Sequence, residues 1–296
     1  MRVLISGASG LVGTELRAQL KEAGHEPISL VRRPAFDDTE VEWHPELGFI
    51  TEGAMEDIDA VVNLAGATTG RLPWTKSYKK LLISSRLDST RTLVEAIRTA
   101  KKKPKVLISG SASGFYGDTG NESKSESAPK GTGFLSDLAA AWEHEALKAQ
   151  SLTRVVLIRT TLVMSRKLGA LGRLLPLVKL GVGGPLGPGK QWWAFISLRD
   201  EARAIIHLIN NTDASGAFNL TAPESATCAQ MVSALAKKLN RPAFLPVPSF
   251  ALRLAFGEGA DELLICNQQM TADRLLKSGF KFEHPTLESA VDYVLS

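Results

Sequence analysis

Short apolar runs alternate with segments of helical spacing through the first two thirds of this 296-residue chain. Runs that are almost continuously apolar are typical of parallel strands buried on both faces, and they cover residues 2–6, 27–31, 60–66, 105–110 and 154–159. The segments at 13–24, 80–100 and 133–150 have the spacing of helices. This repeated order predicts an α/β fold with a Rossmann-type doubly wound parallel sheet.

The character of the sequence changes after about Thr161. Residues 168–193 are rich in Gly and Pro, and the segments beyond them are shorter and less regular. A helix near 199–211 and a strand near 216–220 are expected to return to the main sheet. We therefore predict a first domain of residues 1–161 and a smaller, substrate-side C-terminal subdomain that comprises 162–196 and 222–296.

Three glycines between the first strand and the first helix predict a turn that binds a dinucleotide. They stand at G-x-x-G-x-x-G spacing in "ISGASGLVG". Such glycines permit a tight turn, close approach of backbone to a pyrophosphate and close helix packing, while the helix N-terminus faces the anion. A merely structural turn is the less favoured alternative, because the motif has the required strand before it and helix after it. The residues expected at the cofactor are Gly7, Ser9, Gly10, Leu11, Val12 and Gly13.

Two arginines at the end of the second strand favour the phosphorylated cofactor. Arg32 and Arg33 stand where a carboxylate would otherwise hydrogen-bond the adenosine ribose. A guanidinium pair suits a 2′-phosphate, so NADP(H) is expected and the first domain is predicted to bind it. The alternative is two solvated arginines in a loop. "NLAG" after a later strand adds Leu64, Ala65 and Gly66, which would line the adenine and ribose.

Composition and charge argue against several other classes. The net charge of +4 is mild, and the basic run at 101–105 is explained as the end of a helix before a proline, so nucleic-acid binding is not expected. Two separated cysteines and five scattered histidines do not form a metal-site pattern. No secretory signal or bilayer-spanning run is visible, so we expect a cytoplasmic protein that does not bind membranes.

Taken together, "ISGASGLVG", "NLAG", "ISGSASGFYG" and "LIRTTLV" resemble, in order and spacing, the extended short-chain dehydrogenase/reductase family of NAD(P)-dependent epimerases and dehydratases. The later "GGPLGPGKQWWAFISLRDEARAI", "FNLTAPE" and "GFKFEHPTLESAV" look most like an epimerase-like branch with a short C-terminal domain of unknown function. The resemblance implies the Rossmann fold and makes a homodimer through the helices at 78–100 and 134–150 plausible. An apolar stripe on either helix could equally face its own core.

The family's catalytic residues are only partly matched. A Ser or Thr after the fifth strand binds the reacting oxygen in the family, and Ser111 is the best match. Ser113 is the alternative in register and is expected near the substrate. Small residues that simply let the backbone approach would explain the same segment.

The Tyr-x-x-x-Lys pair that performs acid/base chemistry in the family is absent from this chain. The residues four positions after Tyr78 and Tyr116 are Leu82 and Gly120, and the chain ends before a fourth position after Tyr293. On the matching helix a packing face recurs every four residues instead, with Phe134, Leu138, Trp142 and Ala146.

Three sets of residues are weighed as substitutes. Tyr116 could point its hydroxyl into the site, although a packing tyrosine fits equally well. Asp137 and Glu143 are better explained as solvated or capping carboxylates. Glu122 and Lys124 lie in a polar loop and are expected to be exposed.

A glycine-rich loop, "GPGKQWWAF", carries the substrate-side candidates. Lys190, Gln191 and Trp193 offer a cation, an amide and an aromatic face, which suit a phosphorylated or nucleotide-bearing ligand. An alternative of equal weight is that the tryptophans simply cover the core. Arg159, at the end of its strand, could contact an anion or form a buried pair.

The function favoured by these patterns is an NADP(H)-dependent oxidoreductase or epimerase with atypical proton transfer. Its substrate would be a small molecule, sugar-nucleotide-like or another hydroxyl or carbonyl compound. The alternative is a dinucleotide-binding sensor or regulatory protein that has kept the pocket and lost catalysis.

Overall fold

An eight-stranded sheet forms the centre of the molecule. The structure, a computed structural model, describes residues 1–166, 169–181 and 183–296. The strand order is β11-β7-β6-β5-β1-β2-β3-β4, and every neighbouring pair is parallel except β3 and β4. Its strands are β1 (Arg2–Ser6), β2 (Glu26–Val31), β3 (Glu40–His44), β4 (Phe49–Ile50), β5 (Ala60–Asn63), β6 (Val106–Ala112), β7 (Arg154–Thr160) and β11 (Gly216–Leu220).

Helices cover both faces of this sheet, and short strands complete the fold. One core contains α1 and α5 side chains, and a second contains α2 and α3 side chains. The fold class expected from the sequence is confirmed. The described helices are α1 (Leu11–Glu22), α2 (Lys76–Thr99), α3 (Phe134–Leu147), α4 (Gly169–Lys179), α5 (Leu198–Asn210), α6 (Cys228–Lys238), α7 (Ser249–Phe256), α8 (Glu258–Ala260), α9 (Asp273–Lys277) and α10 (Leu287–Leu295). The small strands are β8 (Leu162–Met164), β9 (Trp192–Trp193), β10 (Phe195–Ser197) and β12 (Ala226–Thr227).

The five apolar runs all form strands of the main sheet, but the two strands at one end of the sheet, β3 and β4, are not visible in the sequence pattern. β3 is half-exposed over most of its length, and β4 has only two residues, so neither is a continuous apolar run. Helix α2 starts at Lys76, earlier than its apolar periodicity suggests, because the Thr75 hydroxyl accepts a hydrogen bond from the Tyr78 amide.

The C-terminal helices help to build a third core, and α9 then packs against the edge strand β11. Side chains of α4, α6 and α10 pack together in that core. Three residues of the predicted substrate-side segment, Lys167, Leu168 and Val182, lie outside the described residues. Beyond α8, Met270 bridges to Lys124 and Gln268 to Trp193, so residues 268–270 lie between the loop that follows β6 and strand β9. None of the helices in the described part of the chain is long and apolar enough to cross a membrane.

Candidate cofactor and catalytic site

The glycine motif forms a turn that only glycine can build at two of its positions. Gly7 has φ +68°, and a Cβ on it would lie 2.7 Å from the Leu64 carbonyl oxygen. A Cβ on Gly13 would lie 2.3 Å from the Gly7 carbonyl oxygen. At Gly10 the added Cβ would meet only the Gly7 oxygen, at 3.1 Å, so this residue faces open space.

The start of α1 presents free hydrogen-bond donors to that space. The amides of Leu11, Val12 and Gly13 donate to no residue that the structure describes, and no side chain caps the helix. Ser9 beside them is exposed. Free amides and the positive end of a twelve-residue helix together favour an anion. The residues present therefore fit the pyrophosphate of a dinucleotide.

The "NLAG" segment lies directly beside this turn. The Ser6 hydroxyl accepts hydrogen bonds from the amides of Leu64, at 3.1 Å, and Ala65, at 3.2 Å. That hydroxyl donates to Asn63 Oδ1 at 2.6 Å. Gly66 follows, exposed at the carboxyl edge of the sheet. One buried serine thus holds the two predicted cofactor segments together.

The two arginines after β2 have different surroundings. Arg33 forms a bidentate ion pair with Glu40, with both N–O distances at 2.7 Å, and its guanidinium lies 4.0 Å from the centre of the Phe36 ring. Arg32 is exposed and forms no ion pair with any described residue. Arg32 is therefore the cation left available for a 2′-phosphate.

Behind the carboxyl ends of β6 and β7 lies a buried ion pair with a hydroxyl on each side. Arg159 donates to Glu143 through Nε at 2.8 Å and through Nη2 at 2.9 Å. The Ser111 hydroxyl donates to Glu143 at 2.6 Å. Arg159 Nη1 donates at 2.7 Å to the Tyr116 hydroxyl, which in turn donates to Asn219 at 2.8 Å.

This network corrects several expectations. Glu143 is buried, so its interpretation as a solvated or capping carboxylate is wrong, whereas Asp137 is exposed and pairs with Lys130. Arg159 forms the buried pair, the second of its two alternatives. Tyr116 is 2% exposed, and burial raises the pKa of its hydroxyl although Arg159 opposes the shift. Ser111 is 5% exposed, so neither hydroxyl faces an open cleft.

Most of the predicted substrate loop also turns inward. The Gln191 amide donates to the carbonyls of Leu186, at 2.8 Å, and Leu264, at 2.9 Å, and Trp193 packs in the third core, with α4, α6 and α10. Buried Ser113 donates to Gln268 at 2.5 Å. Only Lys190 of the loop candidates is exposed. The structure therefore assigns Gln191, Trp193 and Ser113 to packing rather than to an open cleft.

Two cations on α2, which the sequence reasoning missed, face the helix that lacks the Tyr-Lys pair. Lys79 Nζ lies 4.5 Å from the centre of the Phe134 ring, and the Arg86 guanidinium lies 5.2 Å from that of Trp142. The spacing of seven between the cations and eight between the aromatics was the available signal. Nothing in the sequence placed the two helices in this register.

A carboxylate from the C-terminal region closes the start of α3. Glu262 accepts hydrogen bonds from the amides of Phe134, at 3.0 Å, and Leu135, at 3.1 Å. The helix has no side-chain cap from its own N-cap, Gly133, so Glu262 takes that role.

The glycine turn, the free helix amides and the strand order are those of the Rossmann-type fold of dinucleotide-binding proteins. A model of the NAD dependent epimerase/dehydratase family matches residues 3–221, and a domain of unknown function (DUF1731) matches residues 247–294. The chain therefore belongs to the NAD dependent epimerase/dehydratase family, as the resemblance implied.

Similar proteins support this assignment over the whole chain. An epimerase family protein of Mycobacterium leprae is 40% identical over 98% of this chain and 94% of its own length. The human epimerase family protein SDR39U1 is 33% identical over 100% of both chains. A crystal structure of human SDR39U1 (isoform 2) with NADPH has a TM-score of 0.93 and 31% identity, and the match covers 99% of each chain. A UDP-glucose 4-epimerase of Thermus thermophilus, at 18% identity and a TM-score of 0.78, shares the fold.

Proposed function

We propose that this chain binds NADP(H) and reduces a carbonyl compound without the tyrosine and lysine of its family. The observation that carries the cofactor assignment is the start of α1, where three amides that donate to none of the described residues face the space beside Gly10. Arg32 supplies a free guanidinium for a 2′-phosphate. Human SDR39U1, which is similar over the whole chain, was crystallised with NADPH.

The proposed proton donor is Lys79. Reduction of a carbonyl to an alcohol needs a hydride, which bound NADPH supplies, and one proton. Phe134 is the first residue of α3, the helix that matches the one carrying the tyrosine and lysine in the family, and the Lys79 ammonium lies over its ring while it pairs with Glu258. A half-buried ammonium at this position can donate a proton to the reacting oxygen and stabilise its developing charge. The substrate proposed remains a sugar-nucleotide-like or other carbonyl compound, with exposed Lys190 available to an anionic group.

A non-catalytic sensor is the second candidate, and one observation favours it. The hydroxyls of Ser111 and Tyr116 are held inside the buried ion-pair network, so neither can bind a substrate oxygen without breaking it. A sensor would bind NADP(H) equally well but would turn over no carbonyl compound. Homodimerisation through α2 and α3 stays a prediction in either case.

Binding and turnover separate these candidates. Calorimetric titration should show tighter binding of NADPH than of NADH, and Arg32→Ala should weaken NADPH about tenfold to a hundredfold while leaving NADH unchanged. Gly10→Val should abolish binding of both, because its side chain fills the anion space, and exposed Ala18→Val on α1 is the matched control.

Turnover is measured as NADPH oxidation with pooled carbonyl and nucleotide-sugar compounds. Oxidation that Lys79→Met reduces at least tenfold, at unchanged NADPH affinity, supports the reductase. NADPH binding without turnover of any compound would favour the non-catalytic sensor. Absence of NADPH binding would remove the basis of both.

A further inference from the structure

Arg86 on α2 is a cation that the fold leaves largely without partners. Its hydrogen bond to a described residue runs from Nη1 to the Leu82 carbonyl, 3.0 Å away in its own helix. A guanidinium carries five N–H donors, and no carboxylate of the described residues forms an ion pair with this one. Burial lowers the pKa of Arg86 to about 10.

Two arginines on β7 have several acceptors each. Arg159 pairs with Glu143, and Arg154 donates to the three backbone carbonyls of Leu208, Ile209 and Ala214. A partly buried cation without such partners costs stability, so a ligand explains its presence here better than the fold does.

The position of Arg86 identifies the direction it faces. A Cβ added to Gly66 would lie 3.1 Å from the Arg86 guanidinium carbon, so Arg86 contacts the last residue of "NLAG". Two residues earlier in that segment, the Leu64 carbonyl touches the glycine turn at Gly7. On its other side the guanidinium lies over Trp142, one turn of α3 beyond Leu138. Arg86 therefore lies between the cofactor turn and the helix face that carries the lysine in the wider family.

We propose that Arg86 binds an oxyanion at this junction, in the first instance the pyrophosphate of NADP(H). This inference rests on the proposed cofactor. An anionic group of the substrate has the same chemistry and is the second possible source. The Trp142 ring, whose centre lies 5.2 Å from the guanidinium, contributes a cation–π contact, and its indole Nε1 donates a 2.9 Å hydrogen bond to Thr90.

The test compares Arg86→Gln and Arg86→Lys with the wild type by calorimetry. The ligands are NADPH and 2′-AMP, which has the 2′-phosphate but no pyrophosphate. Arg91→Gln is the matched control, because Arg91 is exposed on the same helix and pairs with Asp88. We expect Arg86→Gln to weaken NADPH about tenfold to a hundredfold, with 2′-AMP unchanged and a smaller dependence of affinity on salt. Arg86→Lys keeps the charge and should recover part of the loss.

The other possible results either identify a different source of the anion or overturn the proposal. The binding of inorganic phosphate is followed by the quenching of tryptophan fluorescence. If Arg86→Gln leaves NADPH affinity unchanged but abolishes a quenching that the wild type shows, the anion belongs to the substrate. If Arg86→Gln changes neither the affinity for NADPH nor the binding of phosphate, the proposal is overturned. Equal weakening of NADPH and 2′-AMP binding would also overturn it, in favour of a role of Arg86 in folding. If the wild type binds phosphate through Arg86 but not NADPH, the proposed cofactor fails while the anion site stands.

Discussion

Removal of Glu143 should destabilise the protein far more than removal of an ordinary surface carboxylate. The side chains of Glu143 and Arg159 are 8% and 6% exposed, and three hydrogen bonds from Arg159 and Ser111 end on the carboxylate. Glu143→Leu leaves Arg159 charged and buried with only a hydroxyl and a backbone carbonyl as acceptors. Loss of one partner of such a pair costs about 3–5 kcal/mol.

The double variant Glu143→Leu/Arg159→Met distinguishes this explanation from simple loss of packing. With both charges removed, no uncompensated ion remains, and the cost should fall to about 1–2 kcal/mol, which reflects the hydrogen bonds lost by Ser111 and Tyr116. Urea denaturation followed by circular dichroism measures the free energy of unfolding of each variant. Asp137→Ala, an exposed carboxylate on the same helix, should change it by no more than about 0.5 kcal/mol.

Additive losses of stability in the two single variants would contradict this explanation. If the double variant loses as much free energy of unfolding as Glu143→Leu and the single variant Arg159→Met combined, the coupling between Glu143 and Arg159 is negligible. The pair would then be two independent packing residues, and the buried charge would not determine the stability of this region.

Three further predictions concern other parts of the molecule. Desolvation raises the pKa of buried Glu201 to about 8, against 4.5 in the unfolded chain. The free energy of unfolding should therefore fall between about pH 4.5 and 8, with a slope approaching about 1.4 kcal/mol per pH unit. Glu201→Gln should flatten this slope when urea denaturation is repeated across that pH range. Gly13→Ala should cost about 1–3 kcal/mol and abolish NADPH binding in calorimetry, whereas Gly24→Ala, with open space around it, should cost at most about 1 kcal/mol with binding intact. Glu262→Ala should lower the free energy of unfolding by about 1–2 kcal/mol and speed amide exchange at the start of α3; unchanged exchange there would contradict the capping role.

The sheet and the glycine turn could be predicted because their signals are local. An apolar run of five residues has few structural alternatives when glycines and a helix follow it, as at Gly7 to Gly13. β4 could not be predicted, because two residues carry no periodicity.

The failures at the candidate site share one physical cause, which is that charge pairing is decided in three dimensions. Glu143 and Arg159 are 16 residues apart, and only the packing of α3 on β7 makes a buried pair of them. From periodicity alone, a glutamate on a helix is expected in solvent. Gln191 was misjudged in the same way, because its two acceptors include the carbonyl of Leu264, 73 residues further along the chain.

The C-terminal region is best understood as part of the candidate site. Three of its side chains contact residues of that site. Glu258 pairs with Lys79, Glu262 caps the helix that begins at Phe134, and Gln268 accepts a hydrogen bond from Ser113. These contacts satisfy donors that the sheet domain leaves open at its carboxyl edge, two of them the main-chain amides at the start of α3. A chain that ended before residue 247 would therefore lose the groups that hold Phe134 and Lys79 in place. The family model and the domain of unknown function thus match two segments of one structural unit.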